Sequence, residues 1–230
     1  MDLPMLRARI DAAGLAFRGA FRPGDGDGIA AGTLVLLGFA GAQGWPAFAA
    51  SAEAGDGRPD PLDRWSRRVI DGLASCCGGV ALYPFGGPPW HPFQRWARRA
   101  EPVHPSPLGL LIHPDWGLWH SYRGAIALPA RLILPLPDQR PNPCETCTAR
   151  ACLASCPVGA FDANGYHDAA CVAHIAAPAG AGCVASGCAA RHACPVGAAH
   201  RQGAAQAQFH MRAFRASRAS SAALRGTPQR

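Results

Sequence analysis

The feature that most constrains this chain is a stretch between Cys144 and Cys194, which contains eight of its ten cysteines. It holds two runs that each end in a Cys-Pro pair, at Cys156 and at Cys194. The pentapeptide Cys-Pro-Val-Gly-Ala occurs unchanged at both places, which indicates an internal duplication. When two such runs occur together, the cysteine before each proline binds the cluster of the other run. The stretch therefore predicts two [4Fe-4S] clusters.

The crossing rule divides the eight cysteines into two complete sets of four. The first set is Cys144, Cys147, Cys152 and Cys194. The second set is Cys156, Cys171, Cys183 and Cys188. The proline after each shared cysteine biases that cysteine toward extended backbone, which suits a sharp exit from a cluster loop. The middle spacing of the first run is four residues, where the common bacterial run has two, so we expect a wider loop there.

Two other uses of these cysteines stay open. Zinc sites usually show paired Cys-x-x-Cys units, and only Cys144 and Cys147 form such a pair. Disulfides need an oxidising compartment, whereas residues 1–11 contain no charged region followed by an apolar core and a cleavage site. We therefore rank clusters above zinc, and zinc above disulfides. We expect a cytoplasmic protein whose thiols are reduced.

One uncharged stretch, residues 29–52, has the length of a membrane helix, because a span needs about 20 apolar residues. Several glycines and Pro46 interrupt it. They leave residues 33–39 as a short continuous apolar run, which is typical of a buried central strand. We therefore favour a core strand over a membrane span, and we expect no membrane partner.

The charge of the chain is +7 at neutral pH, and its C-terminal part is the most basic. Residues 169–230 contain seven arginines and no acidic residue. Nucleic-acid surfaces are also basic, but no ladder of aromatic residues accompanies the charge here. We interpret these arginines as offsetting the negative clusters or binding an acidic electron donor, and we expect no nucleic-acid partner. The residues concerned are Arg201, Arg212, Arg215 and Arg218.

Periodic apolar residues and turn signals predict the main helices and strands. Helices are expected over 4–13, 45–53, 93–100 and 202–219, with another that starts at Pro61; strands are expected over 15–21, 33–39 and 79–84. Asp60 is expected to cap the helix that starts at Pro61. Residues 108–128 predict two strands joined by a turn at 115–117. Cys76 and Cys77 are expected as core thiols, with the lining of a site as the alternative.

The loops between the predicted strands hold an unusual share of the aromatic and histidine residues. Flat aromatic faces beside glycines can hold a planar cofactor, since a ring stack needs area on one side and close backbone approach on the other. The same residues can equally be ordinary core aromatics, because tryptophan is often well buried. The candidates are Trp90, His91, His113, Trp116, Trp119 and His120.

Residues 112–124, which read IHPDWGLWHSYRG, together with residues 60–65 and the strand ending in Tyr83, resemble the CblC family of cobalamin-processing proteins. The cysteine stretch, with a Cys-Pro pair ending each run, is similar to that of epoxyqueuosine reductases, whose cobalamin domain is related to CblC. The resemblance implies an α+β or α/β fold class. It implies a nitroreductase-like α/β sandwich over residues 1–140, which holds a corrinoid, and a small α-rich two-cluster ferredoxin-like domain with a C-terminal helix over residues 141–230.

The resemblance also implies roles for single residues. Arg123 lies where CblC proteins have an arginine near their glutathione site, and Tyr83, Gly86 and Trp90 lie near the cofactor loop. The residues expected at a cobalamin site are therefore Tyr83, Gly86, Trp90, His91, His113, Trp116, Trp119 and Arg123. A flavin is the alternative cofactor, because the nitroreductase-like fold elsewhere binds one.

The sequence assigns no catalytic residue. Epoxyqueuosine reductases have an aspartate before the His-Pro segment that donates a proton, but this chain has no acid between Glu101 and Asp115. We expect an iron-sulfur reductase that passes electrons from two clusters to a bound corrinoid and reduces the cobalt or removes its upper ligand. The expected donor is a flavodoxin, a ferredoxin or a flavin reductase. The alternatives are a ferredoxin-like carrier without its own catalysis and, more weakly, a tRNA-modifying reductase.

Overall fold

The computed structural model describes residues 2–162 and 164–225. Their elements, in chain order, are α1 (Leu3–Ala12), β1 (Ala16–Phe21), β2 (Thr33–Ala40), α2 (Trp45–Ala49), α3 (Ala52–Gly55), α4 (Pro61–Cys77), β3 (Val80–Leu82), α5 (Phe93–Ala100), β4 (His104–Pro105), β5 (Leu111–Ile112), β6 (His120–Leu128), α6 (Ala151–Ala154), β7 (Phe161–Asp162), β8 (Gly165–Tyr166), α7 (Asp168–Ala176), α8 (Ala181–Ser186), α9 (Ala189–His192) and α10 (Ala204–Arg225). Short 3-10 helices lie at Asp25–Asp27, Pro178–Gly180 and Ala198–His200. This mixture of helices and antiparallel strands confirms the predicted α+β class.

The chain divides into two compact units. The sheet unit comprises Met1–His104 and Trp119–Pro141, and the cysteine unit comprises Pro105–Leu118 and Asn142–Arg230. The sequence assigned residues 105–118 to the first domain, whereas the structure places them in the cysteine unit. The physical reason is burial, because Leu108, Ile112 and Leu118 pack around Ala190 and Cys194. A single cut in the sequence therefore does not describe the two units.

The sheet unit is built on a four-stranded antiparallel sheet with the strand order β1-β2-β6-β3. Strand β2 lies in its interior and all eight of its residues are buried, as the apolar run at 33–39 predicted. The predicted pairing of two strands within 108–128 is wrong, because β6 pairs with β2 and with β3. The buried residues of β6, Gly124 to Leu128, need neighbours along both edges of the strand. A local hairpin would have supplied only one.

Helices α1, α4 and α5 pack against this sheet. The apolar periodicity of α4 predicts a buried face of Leu62, Trp65, Val69, Ile70 and Leu73. Leu62, Trp65 and Ile70 are buried. Helix α5 buries Phe93 and Trp96. The sheet unit therefore owes its core to amphipathic helices that cover a largely apolar sheet.

Three local expectations were wrong. Residues 45–53 form two short helices, α2 and α3, because Ser51 takes an extended conformation between them. Asp60 precedes α4 but does not cap it: its φ is 50° and its side chain accepts no capping bond. Cys76 is exposed and Cys77 only half-buried, because both lie in the last turn of α4, away from its buried face.

The cysteine unit is made of short helices and one small hairpin, β7–β8. The long helix α10 packs against α7 and α8, which matches the helix predicted over 202–219. Residues 113–117 form a tight turn, in which the His113 N–H donates to the Gly117 carbonyl at 2.9 Å and the Gly117 N–H donates back at 2.8 Å. Cys194 is buried in an apolar cluster of this unit, and Cys144, Cys152, Cys156 and Cys188 pack against that cluster.

No single helix within residues 2–162 and 164–225 is long and apolar enough to cross a membrane. Helices Asp168–Ala176 and Pro178–Ser186 reach that length and composition only when taken together, and they are bent by 100° at their junction.

Gly38 tests the packing of the central strands. A Cβ atom at Gly38 would lie 1.8 Å from the Ser121 carbonyl oxygen of β6, whereas a Cβ at Gly72 of α4 would meet nothing within 4 Å. We expect Gly38→Ala to lower the free energy of unfolding by about 1–3 kcal/mol through overpacking. The control Gly72→Ala should raise it by about 0.5–1 kcal/mol, because alanine favours helix. Urea titrations measure both values, and equal effects would contradict the strand pairing.

Candidate functional site

Four cysteines line a small apolar cavity of about 20 Å³ in the cysteine unit. They are Cys156, Cys171, Cys183 and Cys188, the four members of the second predicted set. Cys156 comes from the first run, and the other three come from farther along the chain. Apolar side chains complete the lining, among them Phe161, Ile175 and Met211. The fold therefore joins distant parts of the stretch around one cavity.

Cysteines of the first set belong to one apolar cluster, against which Cys156 and Cys188 of the second set also pack. Cys194 is buried together with Leu108, Ile112 and Leu118, and Cys144 and Cys152 pack against this group. The segment 105–118 therefore forms a wall beside these three cysteines. This is why a stretch that precedes the cysteine runs by more than 20 residues belongs to their unit.

Electrostatic coupling between thiols separates the same two sets. Burial raises the pKa of the Cys144 thiol, and the nearby thiols of Cys194, Cys152 and Cys147 raise it further. The pKa of Cys194 is likewise raised by burial and then by Cys152 and Cys147. All the thiols that raise these two pKa values are members of the first set.

The second set behaves in the same way. Burial raises the pKa values of Cys183 and Cys188, and for both thiols the neighbours that raise the pKa further are Cys171 and Cys156. Cys156 therefore acts on the cysteines of the later run and Cys194 on those of the first. The thiols that lie near one another thus fall into the same two groups as the predicted sets, and the binding of clusters by them stays a prediction.

Backbone N–H groups point at several of the sulfur atoms. The Ala160 N–H donates to Cys156 Sγ at 3.3 Å. The backbone of Arg191 and Ala190 lowers the pKa of Cys188, against the larger effect of burial, by donating to its sulfur. Such bonds favour a thiolate over a thiol. Half-buried thiols, several of which accept such bonds, fit the ligands of an anionic [4Fe-4S] cube, in which each thiolate binds its own iron.

A single metal ion would require a different arrangement. Within residues 2–162 and 164–225, no three histidine, cysteine, aspartate or glutamate side chains form a group that could hold one ion. A zinc ion needs its ligands to converge on one point at about 2.0–2.3 Å. The cysteines of the second set instead surround a cavity.

The two copies of the repeated pentapeptide, residues 156–160 and 194–198, each contain a glycine in the left-handed region, with a φ of 57° at Gly159 and 68° at Gly197. In the second copy, a Cβ at Gly197 would lie 2.4 Å from the Trp116 carbonyl carbon. A Cβ at Gly117 would lie 1.9 Å from the Val196 carbonyl oxygen. The turn at 113–117 therefore sits directly on the second pentapeptide through two glycines.

His113 and Trp116, both predicted to contact a cofactor, belong to this turn. The Nδ1 atom of His113 accepts hydrogen bonds from the Asp115 and Trp116 N–H groups, at 3.0 and 3.4 Å, so this side chain holds the turn in shape. The Trp116 ring lies 4.4 Å from that of His200, which follows the second pentapeptide. In the cysteine unit these two residues thus support the first set of cysteines.

In the sheet unit, Tyr83 and Arg123 lie together around Phe85. The Tyr83 and Phe85 rings are 5.1 Å apart, and the guanidinium groups of Arg67 and Arg123 lie 5.5 and 5.3 Å from the centre of the Phe85 ring. Gly86 is next to them, since a Cβ there would lie 3.1 Å from Arg67. Two cations and two aromatic faces thus form one patch, which we call the Phe85 patch.

Arg123 reaches this patch because of an irregularity in the sheet. Leu37 pairs with Gly124 and Gly38 pairs with Tyr122, so Arg123 is the extra residue of a bulge in β6. Its guanidinium donates to Ser66 Oγ at 3.0 Å and pairs with Asp63. The Tyr83 hydroxyl donates to Asp71 at 2.6 Å, and burial is the main reason why its pKa is raised.

The other predicted cofactor residues of the sheet unit lie apart. Trp119 is 1% exposed and belongs to the core, whereas Trp90 is 65% exposed at the tip of the loop that follows Phe85. His91 packs against Trp96 of α5, with the ring centres 5.4 Å apart. Of the eight residues predicted at a cobalamin site, the structure brings Tyr83, Gly86 and Arg123 into one patch.

Arg191 is a residue of the site that the sequence analysis missed. Its guanidinium donates to the Leu118 carbonyl at 2.6 and 3.2 Å, while its backbone N–H donates to the sulfur of Cys188. Burial lowers its pKa to about 10, so it keeps its positive charge at neutral pH. The available signal was its position, three residues after Cys188 and three before Cys194.

Comparison with known proteins adds no assignment. No model of a protein family matches the chain, and a search of curated proteins finds no match. The functional assignment therefore rests on the cysteine sets, on the Phe85 patch and on the resemblance within residues 112–124.

The two pentapeptide glycines provide a matched test of the turn contact. Gly159→Ala and Gly197→Ala each place alanine in a left-handed conformation, which costs about 1–2 kcal/mol. Gly197→Ala should cost about 1–3 kcal/mol more, because its Cβ would collide with Trp116, whereas a Cβ at Gly159 meets nothing within 4 Å. Urea titrations of the anaerobically reconstituted protein measure the difference. Equal losses would show that the turn at 113–117 does not cover the second pentapeptide.

Proposed function

We propose that the cysteine unit binds two [4Fe-4S] clusters, one in each crossed set of four cysteines, and transfers single electrons. The observation that carries this proposal is the cavity lined by Cys156, Cys171, Cys183 and Cys188. Its lining combines one cysteine of the first run with three later ones, as two interlocked cluster sites require. Its other walls are apolar, which suits a buried redox group.

Bound clusters supply one-electron transfer at potentials that range from about −700 to +450 mV, set by hydrogen bonds, charge and solvent exposure. The residues of this chain determine those conditions. Backbone N–H groups, such as that of Ala160 at Cys156, donate to sulfur and stabilise negative charge. The buried cation of Arg191 lies beside Cys188 and also favours negative charge there. Phe161 and Ile175 exclude water from the second set.

We further propose that the sheet unit binds a corrinoid, which accepts these electrons at its cobalt. The resemblance of residues 112–124 to CblC proteins supports this assignment, and so does the Phe85 patch. Aromatic faces and cations in one place suit a flat macrocycle that carries amide and phosphate groups. The fit is partial, because Trp119 lies in the core and offers no face to a ligand.

A second candidate function is electron transfer without catalysis of its own. The burial of Trp119 and the structural role of His113 favour it, because both were predicted to contact a cofactor. In this case the sheet unit serves only to bind a partner. A measurement of corrinoid binding distinguishes the two functions, because a carrier without its own catalysis would not bind a corrinoid.

Paired cysteine variants test the crossed sets. In the first pair, Cys156→Ala is combined with Cys171→Ala, so both changes fall in the second set; the iron content should fall from about eight to about four atoms per chain. In the second pair, Cys156→Ala is combined with Cys147→Ala, so each set loses one ligand and the content should fall well below four. The measurement is iron and sulfide content after anaerobic reconstitution.

The outcome that contradicts the crossing is equally specific. If each cluster were bound by the cysteines of a single run, Cys156 and Cys147 would belong to one site. The second pair of substitutions would then retain about four irons per chain, and the first pair would lose nearly all of its iron. Circular dichroism of each variant serves as the control that its helices are intact.

Titration with cyanocobalamin tests the role of the sheet unit. We expect the corrin absorbance to shift on binding and again when reduced clusters pass electrons to the cobalt. Phe85→Ala should weaken binding by about 10-fold, because ring stacking on an aromatic face contributes about 1–3 kcal/mol and Phe85 is the centre of the patch. Leu136→Ala is the control, since Leu136 is 93% exposed and lies outside the Phe85 patch. If cyanocobalamin does not bind but both clusters assemble, the electron-carrier function stands and the corrinoid function fails.

A further inference from the structure

The two copies of the repeated pentapeptide have the same sequence and the same left-handed glycine, but different surroundings. The second copy, residues 194–198, is covered by the chain itself through the turn at 113–117. The first copy, residues 156–160, has no such cover: a Cβ at Gly159 would meet nothing within 4 Å. The duplication has thus given two copies of one pentapeptide, of which the second is covered by the turn and the first is exposed.

The occupied copy shows what this surface accepts. The turn places Gly117 against Val196 and the Trp116 backbone against Gly197, at distances that exclude a Cβ atom on either glycine. Trp116 then packs its ring on His200, which follows the pentapeptide. A tight turn with a glycine and an aromatic side chain is therefore the shape that this conformation binds.

The open copy is also the wall of the second cysteine set. Pro157 and Val158 line the cavity that holds Cys156, Cys171, Cys183 and Cys188. Val158 is 38% exposed on its outer side, and Pro157 and Gly159 are exposed as well. A protein that docks there would be separated from the cavity by one layer of residues.

The charge around the open copy is positive. Met211 of α10 lines the same cavity, and the exposed side chains of Arg212 and Arg215 are its close neighbours on that helix. The nearby acids are already engaged: Asp162 pairs with His167 at 2.8 Å, and Asp168 pairs with Arg218 at 3.2 Å. The Asp168 carboxylate is therefore offset by a cation of this chain, and an acidic surface would complement Arg212 and Arg215.

We propose that the open pentapeptide surface, formed by Pro157, Val158 and Gly159 with Arg212 and Arg215, is the docking site of an acidic flavin-containing electron-transfer protein. The partner lays a tight turn on Gly159 in the way that the turn at 113–117 lies on Gly197. One electron leaves the partner's reduced flavin and is taken up at the second cysteine set, so one oxidation balances one reduction. This inference rests on the proposed cluster function.

The experiment uses the full chain with reconstituted clusters and a reduced acidic flavodoxin as the probe. Calorimetry gives the Kd at low salt, and stopped-flow absorbance gives the rate of cluster reduction. We expect Val158→Asp, and separately Arg212→Glu with Arg215→Glu, to weaken binding and slow reduction by about 10-fold or more through charge repulsion. Reduction by dithionite, a small molecule that needs no docking site, should keep its rate in every variant.

Arg98→Glu is the matched control, because Arg98 is an exposed arginine on α5 of the sheet unit. It is compared with Arg212→Glu alone, which changes the net charge by the same amount, and the Kd of Arg98→Glu should stay within about twofold of the unchanged chain. The α10 variants keep the test valid if Val158→Asp disturbs the cluster loop.

The outcomes are distinguishable. If iron and sulfide do not assemble in the unchanged chain, the cluster function itself fails. If clusters assemble but flavodoxin does not bind, or binds all variants equally, the docking site is wrong while the cluster function stands. Equal weakening by Arg98→Glu would show that net charge, and not this surface, governs the encounter.

Discussion

The proximity of Cys156 to the later cysteines and of Cys194 to the earlier ones is the constraint on which the proposed cluster sites depend. Each proposed set is complete only when both runs are folded, because each takes its fourth member from the other run. Two such sites would form together, and they would close loops of more than 20 residues between ligands such as Cys152 and Cys194. Closure of this kind would stabilise the unit, as it does in small metal-binding domains.

The same constraint explains how the rest of the unit is arranged. Helix α10 covers α7 and α8, which carry Cys171 and Cys183. The segment 105–118 closes the other side, and Arg191 ties it in place through the Leu118 carbonyl. The sequence contains two identical pentapeptides, and the turn at 113–117 covers the second of them. The resulting asymmetry gives one set a buried surrounding and leaves the wall of the other exposed to solvent.

Local signals predicted a large part of the fold. The apolar run at 33–39 is β2 (Thr33–Ala40), and the basic helix expected at 93–100 is α5. Partners far apart in sequence were harder to predict. Residues 108–128 alternate like a hairpin, but β6 finds its neighbours in β2 and β3, and the segment before it joins the cysteine unit. Such pairings depend on burial that no local pattern encodes.

The two candidate sites also differ in how much of each could be predicted from local sequence. Cysteine spacing carries its own geometric rule, so the second set was specified before the cavity was known. Aromatic content carries no such rule: Trp90 is exposed, Trp119 is buried and His113 shapes a turn, although all three had the same predicted role. The position of the Arg123 side chain depends on a bulge in β6. The position of the Arg67 side chain depends on its stacking against Phe85. Neither feature has a signature in the sequence.

The central claim is that two [4Fe-4S] clusters occupy the crossed cysteine sets. Mössbauer spectroscopy of the chain reconstituted with ⁵⁷Fe, combined with iron, sulfide and zinc analysis of the same sample, tests it most directly. The account predicts about eight irons and eight sulfides per chain, with all the iron in signals of [4Fe-4S] clusters. Stoichiometric zinc without sulfide, or iron present as isolated ions, would contradict it.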